Sequence, residues 1–459
     1  MKNYLMRYIL VGTIVLSSSC SREFINLESL SEATTEGFYT SSDDFNNAVV
    51  ACYDALQSND LYGQTFDKML GIRADDAVDD NASASARASD IDKFIESASN
   101  TFVARAWKGT FIGISRCNIV ISKIDNVDID ATQKSRLKAE AYFLRALLYF
   151  NAVRIWGDVP LITEEQSVQQ TNQQIQDETL IRNSIAEVYN TIVDDLQFAE
   201  QNLPLSNGVR ATSGAAKALL GKVYLTRGNY ESAASKLNEI IGGNYGLLSD
   251  FAGVFDVENK NNKEIIFAIS YNKNISGEGH PAWFSDANFV IVPQSLLDAY
   301  DSDDKRRALV ETQPGTSGLI PGKFFDEEFQ GQTGSDFPLL RYSDVLLMRA
   351  EALNEVGYIA DGEAFELLNK IRTRAGLASL TSADLKNQQE FRSAVLFERK
   401  LELALEFDRW FDLLRTGTAI SEMEKAGIKI TSSDFLFPIP QSEIEIVNNP
   451  TGFPQNPGY

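Results

Sequence analysis

One stretch of this 459-residue chain narrows the choice of fold more than any other. Between residues 213 and 241, Leu220, Gly221 and Tyr224 are followed by Gly228, Asn229, Tyr230, Ala233 and Leu237. Read at helical periodicity, this is a pair of amphipathic helices separated by a glycine turn. The glycines are physical requirements: without a Cβ, Gly221 lets the two helices approach closely, and Gly228 allows the chain to turn between them. Such a hairpin cannot bury its apolar face alone, so about three must stack against one another.

The spacing L-G-x-x-Y…G-x-Y-x-x-A-x-x-x-L is that of a tetratricopeptide unit. Leu346–Gly357 followed by Ala364–Ile371 reads as a second, degenerate copy with a longer turn, and 103–124 with 133–155 reads as a third pair. Helical periodicity also covers 42–57, which opens on the cap-like Ser42-Asp43-Asp44, together with 180–202, 361–375, 388–415 and 418–426. Two long irregular regions, 73–100 and 245–338, interrupt this pattern, rich in Gly, Ser, Asp and Asn with scattered aromatics. Loops of that length in a helical body are uncommon unless they form a functional surface. The expected fold is mainly α, a tetratricopeptide-like repeat scaffold crossed by irregular loops that form a ligand-binding face.

The amino terminus sets the compartment. Lys2 and Arg7 precede an uninterrupted apolar run, Tyr8 to Leu16, then Ser17, Ser18, Ser19 and Cys20. The run is too short for a membrane-spanning helix and reads as the core of a secretory signal peptide, residues 1–19. The small residues followed by cysteine resemble a bacterial lipobox, in which Cys20 is acylated and becomes the first residue of the mature protein, 20–459. Here Leu16 stands four residues before the cysteine, where the lipobox has it three before. Each buried acyl methylene contributes ~0.8 kcal/mol, so several chains give a lasting membrane tether.

Beyond residue 20 there is no second long apolar run. Loss of residues 1–19 removes two cations from a chain already at −22, and such an acidic surface repels the phosphates of nucleic acid. With 44% apolar and 10% aromatic residues, the chain can bury a large core. Cys52 and Cys117 lie in helix-like stretches, where free cysteine packs as a small apolar residue, and the sequence leaves their pairing open. His280 is the single histidine, and no GxSxG or HExxH accompanies it. Neither a catalytic apparatus nor a metal or cofactor site is expected. The run Asp75, Asp76, Asp79, Asp80 lacks the alternating spacing and terminal Glu of a calcium loop, and reads as a solvated acidic loop.

Several segments, in order, closely resemble the SusD/RagB family of Bacteroidetes outer-membrane lipoproteins. They are Ala139–Ile162, Arg341–Asn354, Glu398–Gly417 and the ending Phe437-Pro438-Ile439-Pro440…Gln455-Asn456-Pro457-Gly458-Tyr459. Phe24, Ile25 and Phe38-Tyr39-Thr40 fit as well, as does Pro293–Arg307 with Tyr300, Asp304 and Arg306. The resemblance implies a single domain and a non-catalytic cell-surface protein. It would capture a glycan, or in some members a peptide, and deliver it to a SusC-like TonB-dependent outer-membrane transporter. It further implies that the ligand meets loops, here 62–102 and 271–292, and not the repeats.

Read chemically, the signature segments are structural. In 398–415, Leu403, Phe407, Trp410 and Leu414 share one helical face, widened by Leu401, Leu405 and Phe411. Glu402 and Glu406 invite a general acid and base, as in a glycoside hydrolase or lyase. Arg399 and Arg409 close by favour an ion-pair network that locks helices together. Trp156 and Trp410 are expected in the core, and Trp107 begins a helical run.

Sugar binding needs flat apolar surfaces for ring C–H faces and polar groups for hydroxyls. Trp283, in the Gly/Pro-punctuated GHPAWFSDANF, is the leading platform, with Phe284 and Asn288 nearby and Tyr271 upstream. From the first loop, Arg73 and Asp75 are candidates for hydrogen bonding to hydroxyls, and Tyr62 and Phe94 are further aromatic candidates.

Overall fold

A computed structural model describes residues 38–79, 86–275, 279, 290–314, 319–324, 326 and 333–459. Cys20, the signal segment, His280, Trp283, Phe284 and Asn288 lie outside the described residues. The first helices are α1 (Ser42–Gln57), α2 (Ala86–Asp92), α3 (Thr101–Lys123), α4 (Ala131–Trp156), α5 (Val168–Gln176), α6 (Ile185–Asn202), α7 (Ser213–Thr226) and α8 (Tyr230–Asn238). Two short helices follow, α9 (Gln294–Leu297) and α10 (Arg307–Val310). The carboxy-terminal part holds α11 (Tyr342–Val356), α12 (Glu363–Ala375), α13 (Gln388–Glu402), α14 (Arg409–Arg415), α15 (Ala419–Lys425) and α16 (Gln441–Val447). The strands, β1 (Val78–Asp79), β2 (Ile265–Ile269), β3 (Val290–Ile291), β4 (Thr312–Pro314), β5 (Leu319–Pro321) and β6 (Phe337–Arg341), form three two-stranded antiparallel ladders: β1–β3, β2–β6 and β4–β5.

The hairpin read from the sequence is α7–α8. Gly228 takes φ +73° in its turn, and a Cβ on Gly221 would stand 2.5 Å from Leu237 Cδ2, so only glycine permits this approach. The scaffold propagates by nearest neighbours: α1 packs on α3, α3 on α4, α4 on α6, α6 on α7, α8 on α11, and α11 on α12 and α13. Helix α4 lies at the centre and is buried all round from Ala139 to Trp156 but for a few positions, as expected of a helix apolar on every side. Trp156, Trp410 and Trp107 are all core residues, and Cys52 and Cys117 are free, buried thiols.

Two helix boundaries differ from those read in the sequence, each for an identifiable reason. Residues 180–184 are not helical: Val159 and Asn183 pair as an isolated bridge, and Ser184 caps α6 by exchanging hydrogen bonds with Glu187. The expected 388–415 helix is broken after Glu402, with Leu405 at φ 68° and Phe407 at φ 67°. The released backbone groups find partners elsewhere. Lys323 Nζ donates to the carbonyls of Glu402 and Ala404, at 3.1 and 2.8 Å, and Asp76 accepts from the Leu405 N–H. Leu401, Leu403, Leu405, Phe407, Trp410 and Phe411 are buried as expected and Leu414 partly so, but not along one continuous helix. Helices α2, α5, α9, α10 and α16 fall where the sequence suggested none.

Candidate functional site

The two loop regions singled out from the sequence meet in space. Val78 pairs with Ile291 and Asp79 with Val290, so β1 from the first loop and β3 from the second form one antiparallel ladder. The segment that carries Trp283, Phe284 and Asn288 therefore returns at Val290, beside the first loop. It departs from Tyr271–Ile275, and that departure is fixed by backbone bonds. Asp336 accepts from the Tyr271 N–H at 2.9 Å, and Lys260 Nζ donates to the Tyr271 carbonyl at 2.6 Å.

Tyr271 also lines a recess of about 380 Å³ between the outer face of α1 and the strand β2, with its walls formed by Val50, Tyr53, Gln57, Val209 and Arg210. Val50 and Val209 are 45% and 55% exposed, which gives the rim apolar surface. Tyr53 is locked in orientation: its hydroxyl donates to Glu140 and accepts from the Ala211 N–H, both at 2.9 Å. Burial, followed by the Glu140 charge, keeps that hydroxyl protonated by pushing its pKa well up. Gln57 Nε2 donates to the Ser270 carbonyl, and Arg210 donates to Asn46 Oδ1 at 2.9 Å. Exposed Asp54 and Asn272 add polar groups at the edge. Apolar rim, oriented aromatic and peripheral hydrogen-bonding groups are the elements a ring-shaped polyol needs.

Sequence reasoning named Tyr271, whose side chain is as buried as that of Tyr62, and did not name the other residues of this recess. One signal was present: Val49 and Val50 are adjacent in a helix that can turn only one of them inward, and Val50 faces out. Nothing in the sequence marks Val209 or Arg210.

Four candidates from the first loop are corrected. Arg73 is wholly enclosed. Its guanidinium pairs with Glu96 at 2.9 Å, donates to the carbonyls of Ile91 and Asp434, and lies between the rings of Phe94 and Phe437 at 3.9 and 4.4 Å. Phe94, half-buried, gives one ring face to that cation–π contact. Tyr62 is buried, accepts a hydrogen bond from Asn151 at 2.8 Å, and packs edge-on to Phe66. Asp75 is buried too, paired with Lys400 and Arg409 at 2.6 Å each. Burial works against its ionisation, but Arg409 and Lys400 outweigh it and bring the pKa down to about 2. Arg73, Tyr62 and Asp75 are enclosed and tie the first loop to the scaffold. The acidic run is no solvated loop where it is described, since Asp75 and Asp76 are buried. Among the described residues, no three carboxylate, cysteine or histidine groups assemble as a metal site.

Glu402 and Glu406 likewise form part of a buried ion-pair network, with partners other than those expected. Glu402 pairs with Arg374, Arg341 and Arg306 at 2.5, 3.0 and 3.2 Å, and Glu406 with Lys323 and Arg341 at 2.5 and 2.7 Å. Burial opposes the Glu402 charge most strongly, yet the arginines together hold its pKa well below the carboxylate range. Arg399 instead binds Asp344 and Asp412, and Arg409 binds Asp75 and Glu422. No exposed acid–base pair exists at Glu402 and Glu406.

Comparison with known proteins follows the same lines. The family model described as "SusD family" matches residues 310–459, and the one described as "Starch-binding associating with outer membrane" matches residues 23–225. SusD-like protein P2 of Formosa agariphila is 28% identical over 518 aligned positions that span all of both chains. A solved structure described as a laminarin-binding SusD-like protein is 27% identical and superposes with a TM-score of 0.76, covering 92% of this chain and 100% of that one. A SusD homolog from Bacteroides thetaiotaomicron, 24% identical, shares the fold with a TM-score of 0.80 over 92% of this chain and 98% of its own.

Proposed function

The chain belongs to the SusD family, and we propose that it is a non-catalytic, surface-exposed glycan receptor that hands oligosaccharide to a SusC-like transporter in the outer membrane. The observation that carries this reading is the likeness, over nearly the whole of both chains, to a laminarin-binding SusD-like protein. The ladder between the two loop regions and the Tyr271 recess support it as a place for ligand. In this reading Trp283 is the stacking platform, Phe284 widens it, and Asn288 with the recess edge meets hydroxyls. Tyr271 holds the base of the loop. Acylated Cys20 tethers the protein to the outer membrane, facing outward beside its transporter.

The test is native electrophoresis of the purified protein through gels containing laminarin. Retardation is expected, and Trp283→Ala should weaken binding by ~1–3 kcal/mol, as for other aromatic stacking platforms, with folding unchanged. Retardation by no polysaccharide in a panel, combined with calorimetric binding of peptides, would transfer the role to peptide capture. Release of reducing ends would make the protein an enzyme.

A further inference from the structure

A second recess, of about 480 Å³, lies between α13, α14 and α15 and shares no lining residue with the one at Tyr271. Its volume falls in the range of small-ligand sites. Helix α13 buries Phe391, Val395, Glu398 and Leu401 against the scaffold. Ser393, Phe397 and Lys400, at positions i, i+4 and i+7, lie along another face and line the recess. Phe397 is 46% exposed, more than any other aromatic ring among the described residues. A surface position that needed only helix propensity would favour a polar residue.

The groups around this ring are oriented for hydroxyls. Lys400 spends one donor on Asp75 at 2.6 Å, and an ammonium carries three. Thr416 and Thr418 share a hydrogen bond of 2.9 Å. Glu422 is held by Arg409 at 3.3 Å and Lys425 at 2.5 Å, with a carboxylate's remaining lone pairs open to accept. Lys400 and Arg409 pair with Asp75, Arg409 and Lys425 with Glu422, and Asp412 with Arg399 and Arg415, so each of these charges at the recess already has an ionic partner. Asp75 thus holds Lys400 and Arg409 in place from behind.

We propose that this recess is a second saccharide-binding site, in which Phe397 stacks on the ring of a neutral hexose unit while Lys400, Thr418 and Glu422 meet its hydroxyls. The proposal rests on the glycan-receptor reading, and two sites on one chain would let it grip a long polysaccharide at separated points.

Hydroxyl-radical footprinting with laminarin, at a concentration that retards the protein in native gels, tests it at the residue. Oxidation of Phe397 should fall several-fold, and the protection should persist in Trp283→Ala. By calorimetry, Phe397→Ala should weaken one of two binding events about tenfold, the size of a lost aromatic stack, while Phe397→Tyr retains it. Unchanged Phe397 oxidation in a protein that laminarin does retard would overturn the second site alone. Retardation by no polysaccharide in the panel would overturn both this site and the receptor reading.

Discussion

Glu402 and Asp67 are both fully enclosed carboxylates, and they have been treated in opposite ways. Glu402 is met by three arginines and stays ionised. Asp67 lies in a π-helical turn, Asp67–Gly71, within the first candidate loop region, 62–102. Its oxygens meet no donor at hydrogen-bonding geometry among the described residues, and Lys68 Nζ approaches only to 3.8 Å. Burial dominates there, partly offset by Lys68, and raises the pKa to about 7. The signature segments that identify the family hold the scaffold by satisfied charge. The turn within the loop region retains an unsatisfied one, and π-turns of this kind often mark functional regions. Charge is closely paired in one region and only weakly countered in the other.

The comparison breaks most visibly at Glu402. Glu402→Gln leaves Arg374, Arg341 and Arg306 short of a buried counter-charge and should cost ~3–5 kcal/mol in urea unfolding. A loss below about 1 kcal/mol would mean the network is not what holds α13 to β6.

Asp67→Asn should have the opposite sign. Because its folded pKa lies above the unfolded value, the native state binds the extra proton, so Asp67 erodes stability as pH rises from about 4 through about 7. The variant should therefore be more stable than the parent at pH 8, by on the order of 3 kcal/mol, and nearly equal to it at pH 4. Asp75 supplies the contrast within one loop. Its folded pKa, about 2, lies below the ordinary value, so its contribution of about 2 kcal/mol is present above pH 4 and fades as pH falls toward 2. Asp75→Asn should flatten the acid limb of the stability profile and leave the alkaline limb alone.

Gly221→Ala probes the repeat itself. A methyl group 2.5 Å from Leu237 Cδ2 forces α7 and α8 apart at a cost of ~1–3 kcal/mol, measurable by thermal unfolding. Phe397→Ala, by contrast, should cost no more than ~1–2 kcal/mol, since nearly half of the side chain is exposed.

How much of this was legible in the sequence follows the same division. The α7–α8 hairpin, α1, α4 and α11 could be read because local periodicity and glycine spacing determine them. The break after Glu402 could not, because it depends on Lys323 and Asp76 arriving from far along the chain to satisfy freed backbone groups. The site was legible in outline only. The sequence pointed to two loop regions that β1–β3 brings together, yet it assigned Arg73 and Asp75 to a ligand when their partners are Glu96, Lys400 and Arg409. A charged residue in a loop reads the same whether it faces water or a partner hundreds of residues away.

The central claim, that a charge-locked scaffold presents a separate saccharide-binding loop face, is tested most directly by calorimetric titration of laminarin into the parent protein, Trp283→Ala and Glu402→Gln. The account predicts that Trp283→Ala loses about tenfold in affinity at unchanged unfolding temperature. Glu402→Gln, below its lowered unfolding temperature, should bind as the parent does. Full affinity in Trp283→Ala, with binding lost in a still-folded Glu402→Gln, would contradict it.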